Sequence, residues 1–207
     1  MLRIVVGQEP NDFNLTVRQP GLAWINAEGL NIHAEAPPKT DFPAHWSACR
    51  DDLRRASDAR CCFSGMYMRK SEVIPVEHAI PKNKRIDLAY EWDNYRYASS
   101  RINSRKGVKH ILDPALLPPG IDVYHLDFVV GSIFPNPALK TLMPWLHFIA
   151  EYTASAEGLG LDDQLYRDER MEVWDDYLNS SKQGPEKLQL KKTNNFVWSE
   201  AVRQNLL

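Results

Sequence analysis

Four polar side chains between positions 77 and 103 have the types needed to hydrolyse a phosphodiester bond. Glu77 and His78 are adjacent, Asn94 follows in a WDN segment, and Asn103 lies three residues before Lys106. Phosphodiester hydrolysis needs a base that deprotonates water and a cation that stabilises charge on the phosphate and the leaving oxygen. A site for this reaction therefore needs a base, ligands for a cation and groups that hold both in place.

Each of the four side chains suits one part of this chemistry. His78 suits the base, because the pKa of an imidazole lies near working pH. Glu77 and Asn103 offer the oxygen ligands that Mg²⁺ or Mn²⁺ prefers. Asn94 could hydrogen-bond a ring nitrogen or a backbone carbonyl and so fix the His78 tautomer; capping a helix is its alternative role.

The spacing of these residues predicts the elements that carry them. A strand over residues 73–78 is expected to pair with a short strand or hairpin arm over residues 61–68, since four residues between them suit a hairpin loop. Asn94 and Asn103 are nine residues apart and would face opposite sides of one helix. We therefore expect Asn94 in the approach to a helix that carries Asn103 and ends at Gly107.

Basic residues are concentrated around these positions. Residues 81–109 contain eight Lys or Arg and three Asp or Glu, although the whole chain has a formal net charge of −2. Such a cluster can neutralise backbone phosphates without reading sequence, or it can be an ordinary solvated face. The residues predicted to bind nucleic acid are Lys82, Lys84, Arg101, Arg105 and Lys106.

The rest of the chain predicts a mainly helical scaffold and an α+β fold class. We expect helices over residues 21–28, 45–59, 140–156, 162–179 and 195–207, a strand over 123–130 whose partner begins at 132–134, and a loop over 183–190. The predicted regions are an irregular or helical segment (1–60), the catalytic core (61–109) and a helical scaffold or partner region (110–207). Together they are expected to form one compact domain.

Composition indicates the class of protein and its cellular compartment. Apolar residues make up 43% of the chain and charged residues 25%, values typical of a folded globular protein. No apolar run approaches the roughly 18 residues needed to cross a bilayer. Three cysteines without framework spacing fit a reducing compartment, so we predict a cytoplasmic protein with no membrane association.

The order EH, P-K, W-DN and N-x-x-K-G resembles the motif of the HNH endonucleases. The chain is also similar, over nearly its whole length, to a bacterial HNH family found among phage-defence genes. The segments that carry this similarity include DFNLTVRQPGLAWI, AYEWDNYRYASSRINSRKG, LGLDDQLYRDER and FVWSEAVRQNLL. The resemblance implies a ββα-metal core, formed by two strands, a metal and a helix, with His78 as general base, Asn94 as orienting residue, and Glu77 and Asn103 as metal ligands.

The same resemblance implies one Mg²⁺ or Mn²⁺ ion, DNA as substrate, and nicking or double-strand cleavage. It suggests the effector nuclease of an anti-phage system, controlled by an ATPase or sensor protein. A homodimer is one way in which a nuclease with a single site could cut both strands. Two alternatives stay open. One is a non-catalytic nucleic-acid-binding or assembly subunit that retains the fold, and the other is an RNA endonuclease.

The sequence departs from many HNH proteins at the four zinc-binding cysteines. Those positions hold Cys61, Ser64, Ser99 and Ile102, and isoleucine cannot bind a metal. We therefore expect no structural zinc. The aromatic residues expected to hold the segment together by packing are Phe63, Tyr67, Trp92, Tyr95 and Tyr97.

Overall fold

Two sets of chain segments form separate units, each with helices and one two-stranded antiparallel sheet. The computed structural model describes residues 1–72 and 74–207. Unit 1 comprises Met1–Ile4, Arg60–Met68 and Ile111–Leu207, and unit 2 comprises Val5–Ala59 and Arg69–His110. The mixture of helices and antiparallel strands confirms the α+β class. Residues 61–68, which the sequence grouped with the core segment, belong to unit 1.

Unit 2 contains the predicted catalytic residues. In chain order its regular elements are α1 (Gln19–Ala27), α2 (Arg50–Ala56), β1 (Val76–His78), β2 (Tyr95–Tyr97) and α3 (Ser100–Lys106). Shorter helical turns lie at Asn14–Arg18, His45–Cys49, Ile86–Leu88 and Trp92–Asn94. The predicted helix over 45–59 is thus a 3-10 turn that continues into α2.

Strand β1 pairs with β2, which lies in the segment that leads into α3. Glu77 lies opposite Arg96 and His78 lies opposite Tyr95 in the antiparallel register. The predicted pairing of β1 with residues 61–68 is therefore wrong. That segment makes isolated bridges within unit 1, where Met66 pairs with Asn194. The first residue of the predicted strand, Val73, lies outside the described residues.

Helix α3 has a well-defined start and end. The Ser99 hydroxyl accepts a hydrogen bond from the Ile102 backbone N–H at 3.3 Å, an N-cap that satisfies one of the free donors of the first turn. Gly107 follows the helix with φ +49°, a backbone conformation that residues with a Cβ rarely adopt. The prediction that Asn94 precedes the helix, that Asn103 lies on it and that Gly107 ends it is confirmed.

Aromatic side chains form the core of unit 2. The Phe13 ring packs edge-on against Trp92 and Tyr95, with ring centroids 5.7 and 5.9 Å apart. A Cβ on Gly21 would lie only 2.1 Å from the Tyr90 ring, so α1 can approach that ring only with glycine at this position. Of the five aromatic residues predicted to hold the segment, Trp92, Tyr95 and Tyr97 lie in unit 2, and the other two lie in unit 1.

Unit 1 holds the remaining elements. They are β3 (Tyr124–Leu126), β4 (Ile133–Pro135), α4 (Leu139–Leu142), α5 (Pro144–Ala154), α6 (Gln164–Leu178), α7 (Gly184–Thr193) and α8 (Asn195–Arg203). The predicted strand pair is confirmed, with Leu126 opposite Ile133. The prediction of a loop over 183–190 is wrong, because α7 covers most of this segment. Pro185 lies in the first turn of α7, where a backbone N–H has no partner within the helix, so proline can start the helix there.

Helix α6 follows its prediction closely in extent. Trp174 and Tyr177 are buried, together with Arg170. Leu165 and Leu178 are 48% and 40% exposed. Among residues 1–72 and 74–207, no helix is long and apolar enough to cross a membrane.

Candidate active site

A pocket of about 420 Å³ in unit 2 brings together three of the four predicted site residues. Its walls come from the segment that leads into α2, from β1 and the loop that follows it, and from α3. Because β1 ends at His78, the backbone turn there allows both Glu77 and His78 to line the pocket. The lining residues include Trp46, Arg50, Glu77, His78, Lys82 and Asn103.

The His78 imidazole is held in one tautomer. Its Nε2 lies 3.0 Å from the backbone carbonyl oxygen of Ala89, and the Tyr95 hydroxyl donates to that same oxygen at 3.0 Å. Since a carbonyl only accepts, Nε2 carries the proton and Nδ1 keeps its lone pair. Burial lowers the pKa of His78 to about 3, and Lys82 and Lys106 add to this effect. The ring is therefore neutral at physiological pH.

Two aromatic rings fix the plane of the imidazole. Trp46 meets it edge-on with ring centroids 4.7 Å apart, and Tyr95 does so at 5.1 Å. Across the described part of the chain, Nδ1 of His78 makes no hydrogen bond, so it is the ring atom able to accept a proton.

Asn94 closes the connection between β1 and β2. Its side-chain oxygen accepts a hydrogen bond from the Ile80 N–H at 2.7 Å, and its Nδ2 donates to the Ile80 and Leu88 carbonyls at 3.0 Å. The sequence proposed contact with a His78 ring nitrogen or with a backbone carbonyl, and the structure has the backbone contact. Asn94 thus positions the loop that carries Ala89, the hydrogen-bond partner of His78.

Glu77 forms a buried ion pair with Lys106. The Lys106 Nζ lies 3.1 Å from Glu77 Oε1 and donates to the His78 carbonyl oxygen at 2.6 Å. Burial raises the pKa of Glu77 above its usual range, while Lys106 acts in the opposite direction. The Lys106 side chain is fully buried, so it has an internal carboxylate as its partner in place of the phosphate predicted from the sequence.

The other predicted nucleic-acid-binding residues lie in different places. Lys82 lines the pocket. Lys84 is paired with Glu35 at 2.8 Å, away from the pocket walls. Arg101 and Arg105 lie two residues either side of Asn103 on α3, about 160° around the helix from it. Of the five, only Lys82 is therefore placed where it could contact an anion beside His78.

The donor atoms at the pocket fit a hydrated divalent ion held by few protein ligands. Mg²⁺ is commonly bound by one or two carboxylates together with waters and substrate phosphates. The pocket supplies the Glu77 carboxylate and the Asn103 amide, and its volume leaves room for water. No group of three or more His, Cys, Asp or Glu side chains that could hold a metal occurs among the described residues. A bound ion would therefore depend on Asn103 and on solvent as well as Glu77.

Trp46 and Arg50 line the pocket but were not predicted as site residues. Both come from the segment 45–56, more than 20 residues before Glu77, and nothing in local spacing links them to the motif. The amphipathic pattern over 45–59 predicts a helix, but it does not indicate which segments pack against that helix.

The positions that hold zinc ligands in many HNH proteins have other roles here. Ser99 caps α3, and Ile102 is fully buried in the core of unit 2. Cys61 is a buried free thiol in unit 1. Comparison of this chain with protein-family models, with curated proteins and with solved structures found no match.

Proposed function

We propose that this protein is a metal-dependent HNH-type endonuclease that hydrolyses phosphodiester bonds in DNA. One observation carries the proposal. Glu77, His78 and Asn103 line a single pocket, built on an antiparallel strand pair with a helix directly after it. This order of elements is the one that the ββα-metal resemblance implies.

Each of these residues has a separate role in the hydrolysis. His78 Nδ1 takes a proton from water, and the water oxygen forms a bond to phosphorus while the bond from phosphorus to the 3′-oxygen breaks. The leaving oxygen then takes up a proton, which gives 5′-phosphate and 3′-hydroxyl ends. Glu77 and Asn103 would hold the divalent ion, which supplies charge stabilisation at the phosphate and the leaving oxygen when bound.

The His78 environment is compatible with this role once a phosphate is present. The low pKa of the free pocket comes from burial and from nearby lysines. A phosphodiester anion beside the ring favours the imidazolium and raises that pKa. The Ala89 carbonyl holds Nε2–H in place throughout, as the orienting group of a general base does.

A specific observation favours one alternative, a non-catalytic nucleic-acid-binding or assembly subunit. The carboxylate expected to bind metal already has a buried cationic partner, Lys106. If that ion pair persists with Mg²⁺ or Mn²⁺ present, Glu77 does not act as a ligand, and the fold serves binding alone.

The test is cleavage of supercoiled plasmid with Mg²⁺ or Mn²⁺, with and without EDTA. Wild type should convert plasmid to nicked or linear DNA, and EDTA should abolish this. His78→Ala and Asn103→Ala should lose at least a hundredfold in rate, as expected for loss of a base or a metal ligand. His110→Ala changes an exposed histidine and serves as control. Equal rates for wild type and His78→Ala would rule out the enzyme, and a single-stranded RNA arm tests the RNA alternative.

Control by a second protein is part of the proposal. The role in phage defence, the ATPase or sensor partner, the homodimer and the cytoplasmic location rest on the family resemblance and on composition. Exposed apolar side chains in unit 1 support docking of another chain: Leu142 is 72%, Trp145 61% and Phe148 72% exposed. If a partner is needed for activation, plasmid cleavage should appear only when it is added.

A further inference from the structure

Two cations in the walls of the pocket have no ion-pair partner among the described residues. Arg50 has a buried Nε with no hydrogen-bond partner, and in the described chain its guanidinium makes no ion pair. Lys82 also has no carboxylate within ion-pair distance among the described residues, and its ammonium lies 5.1 Å from the centre of the Trp46 ring.

The balance of charge in the pocket is therefore positive. Glu77 is the one carboxylate among the described residues that line it, and it is already paired with Lys106. Glu77 and Asp41 act on Lys82 only from beyond ion-pair distance, and no carboxylate among the described residues pairs with Arg50. A buried guanidinium N–H without an acceptor costs free energy. Its presence in the pocket wall therefore indicates a bound ligand that supplies the acceptor.

The position of Arg50 follows from the packing of α2. Arg54, one turn further along the same face of the helix, donates from Nη1 to the Tyr97 hydroxyl at 2.8 Å. This contact sets the face of α2 that meets β2, and Arg50 at the start of the helix then reaches the pocket. Arg55 lies about 140° around the helix from Arg50, is 72% exposed and is paired with Asp52.

We propose that Arg50 and Lys82 form an anion subsite that holds one phosphate of the nucleic acid beside His78. Arg50 offers a planar set of donors that matches phosphate oxygens, and Lys82 adds a point charge held by Trp46. The inference deepens the proposed function and rests on it for the identity of the anion as a phosphodiester. It assigns phosphate binding to a helix that lies outside the Glu77–Asn103 motif.

The first measurement is direct and needs no turnover. Inorganic phosphate is titrated in EDTA into protein labelled with ¹⁵N, and the arginine Nε–H resonances are followed. The Arg50 signal, assigned by its absence in Arg50→Gln, should shift with saturation, because its N–H gains an acceptor. The Arg55 signal should not move. An Arg50 signal that stays fixed at saturating phosphate would overturn the proposal.

The second measurement follows a short fluorescein-labelled single-stranded oligonucleotide by anisotropy, also in EDTA. Arg50→Gln and Lys82→Gln should each weaken binding roughly tenfold and lower the slope of log K against log salt by about 0.7, the value for one phosphate contact on a single strand. Arg50→Lys should lose less affinity than Arg50→Gln, and Arg55→Gln should have the affinity and salt slope of wild type. Affinity and slope unchanged in both Arg50→Gln and Lys82→Gln would overturn the subsite.

Thermal melting of each variant separates a lost contact from a lost fold, and Arg50→Lys covers the case in which Arg50→Gln does not fold. The outcome also separates this inference from the nuclease proposal. Phosphate binding that depends on Arg50 in a protein that never cleaves would support the subsite and overturn the enzyme. Cleavage by wild type, together with unaltered oligonucleotide binding in both glutamine variants, would support the enzyme and overturn the subsite.

Discussion

At the scale of single residues, burial decides what His78 can do. The unfolded chain presents an imidazole of pKa about 6.5, whereas burial lowers the folded value to about 3. Between these values the unfolded state binds more protons than the folded state. Stability is therefore complete above pH 6.5 and falls as the pH drops toward 3.

This predicts a pH-dependent effect of substituting His78. In EDTA, the free energy of unfolding of wild type should fall by up to about 1.4 kcal/mol per pH unit below pH 6, from this group alone. His78→Gln lacks the titrating group, so the difference in stability between wild type and variant should shrink as the pH falls. Urea unfolding at several pH values between 7 and 4 measures this. A difference that stays constant with pH would contradict the buried, neutral imidazole.

A second residue-scale prediction concerns the Glu77–Lys106 ion pair. Lys106→Met keeps the apolar stem but leaves the Glu77 carboxylate buried without its cation, and this should cost roughly 3 kcal/mol of stability. Adding Glu77→Gln in the double variant should restore much of the loss, since no buried charge remains. Urea unfolding of the two single variants and the double variant gives the coupling energy. Additive losses would show that the pair does not interact as the 3.1 Å contact indicates.

At the scale of elements, the connection between β1 and β2 is the feature on which the site depends. Residues 79–94 carry Ala89, whose carbonyl orients both His78 and Tyr95, and Asn94 closes this loop through three hydrogen bonds. The two strands are only three residues each, so the loop supplies much of the order around His78.

Asn94→Asp should therefore damage the site more than its similar size suggests. The carboxylate cannot donate to the Ile80 and Leu88 carbonyls, and it introduces a buried charge. We expect a loss of roughly 2–4 kcal/mol in stability and faster amide exchange across 79–94. Asn103→Asp, at a half-exposed position on α3, is the matched control and should cost less than about 1 kcal/mol. Similar losses for both variants would contradict the role of Asn94 as the residue that closes the loop.

At the scale of the whole molecule, ion binding should couple to the stability of unit 2. A ligand present at a hundred times its dissociation constant adds about 2.7 kcal/mol, if it binds only the folded state. Mn²⁺ should therefore raise the melting temperature of the wild type by roughly 5–10 °C, with reversal by EDTA. Asn103→Ala should show little of this rise, and His110→Ala should show all of it. An equal rise in every variant would place the ion elsewhere.

The α+β class and the layout of the helix that carries Asn103 could be predicted from the sequence alone. The α+β class, the approach position of Asn94 and the stop at Gly107 follow from hydrophobic pattern, helical spacing and the special backbone of glycine. These are local properties, so they can be read from neighbouring residues.

Three features depend on contacts between distant segments: the strand that pairs with β1, the cations that line the pocket, and the pKa of His78. Strand pairing joins segments far apart in the chain, so the resemblance of 61–68 to a hairpin arm could not reveal that β2 is the partner of β1. Lys106 and Lys82 are both lysines in one basic cluster, yet one is buried against Glu77 and the other lines the pocket. The low pKa of His78 arises from desolvation, and the Nε of Arg50 is buried with no acceptor among the described residues. Both depend on every segment packed around the group.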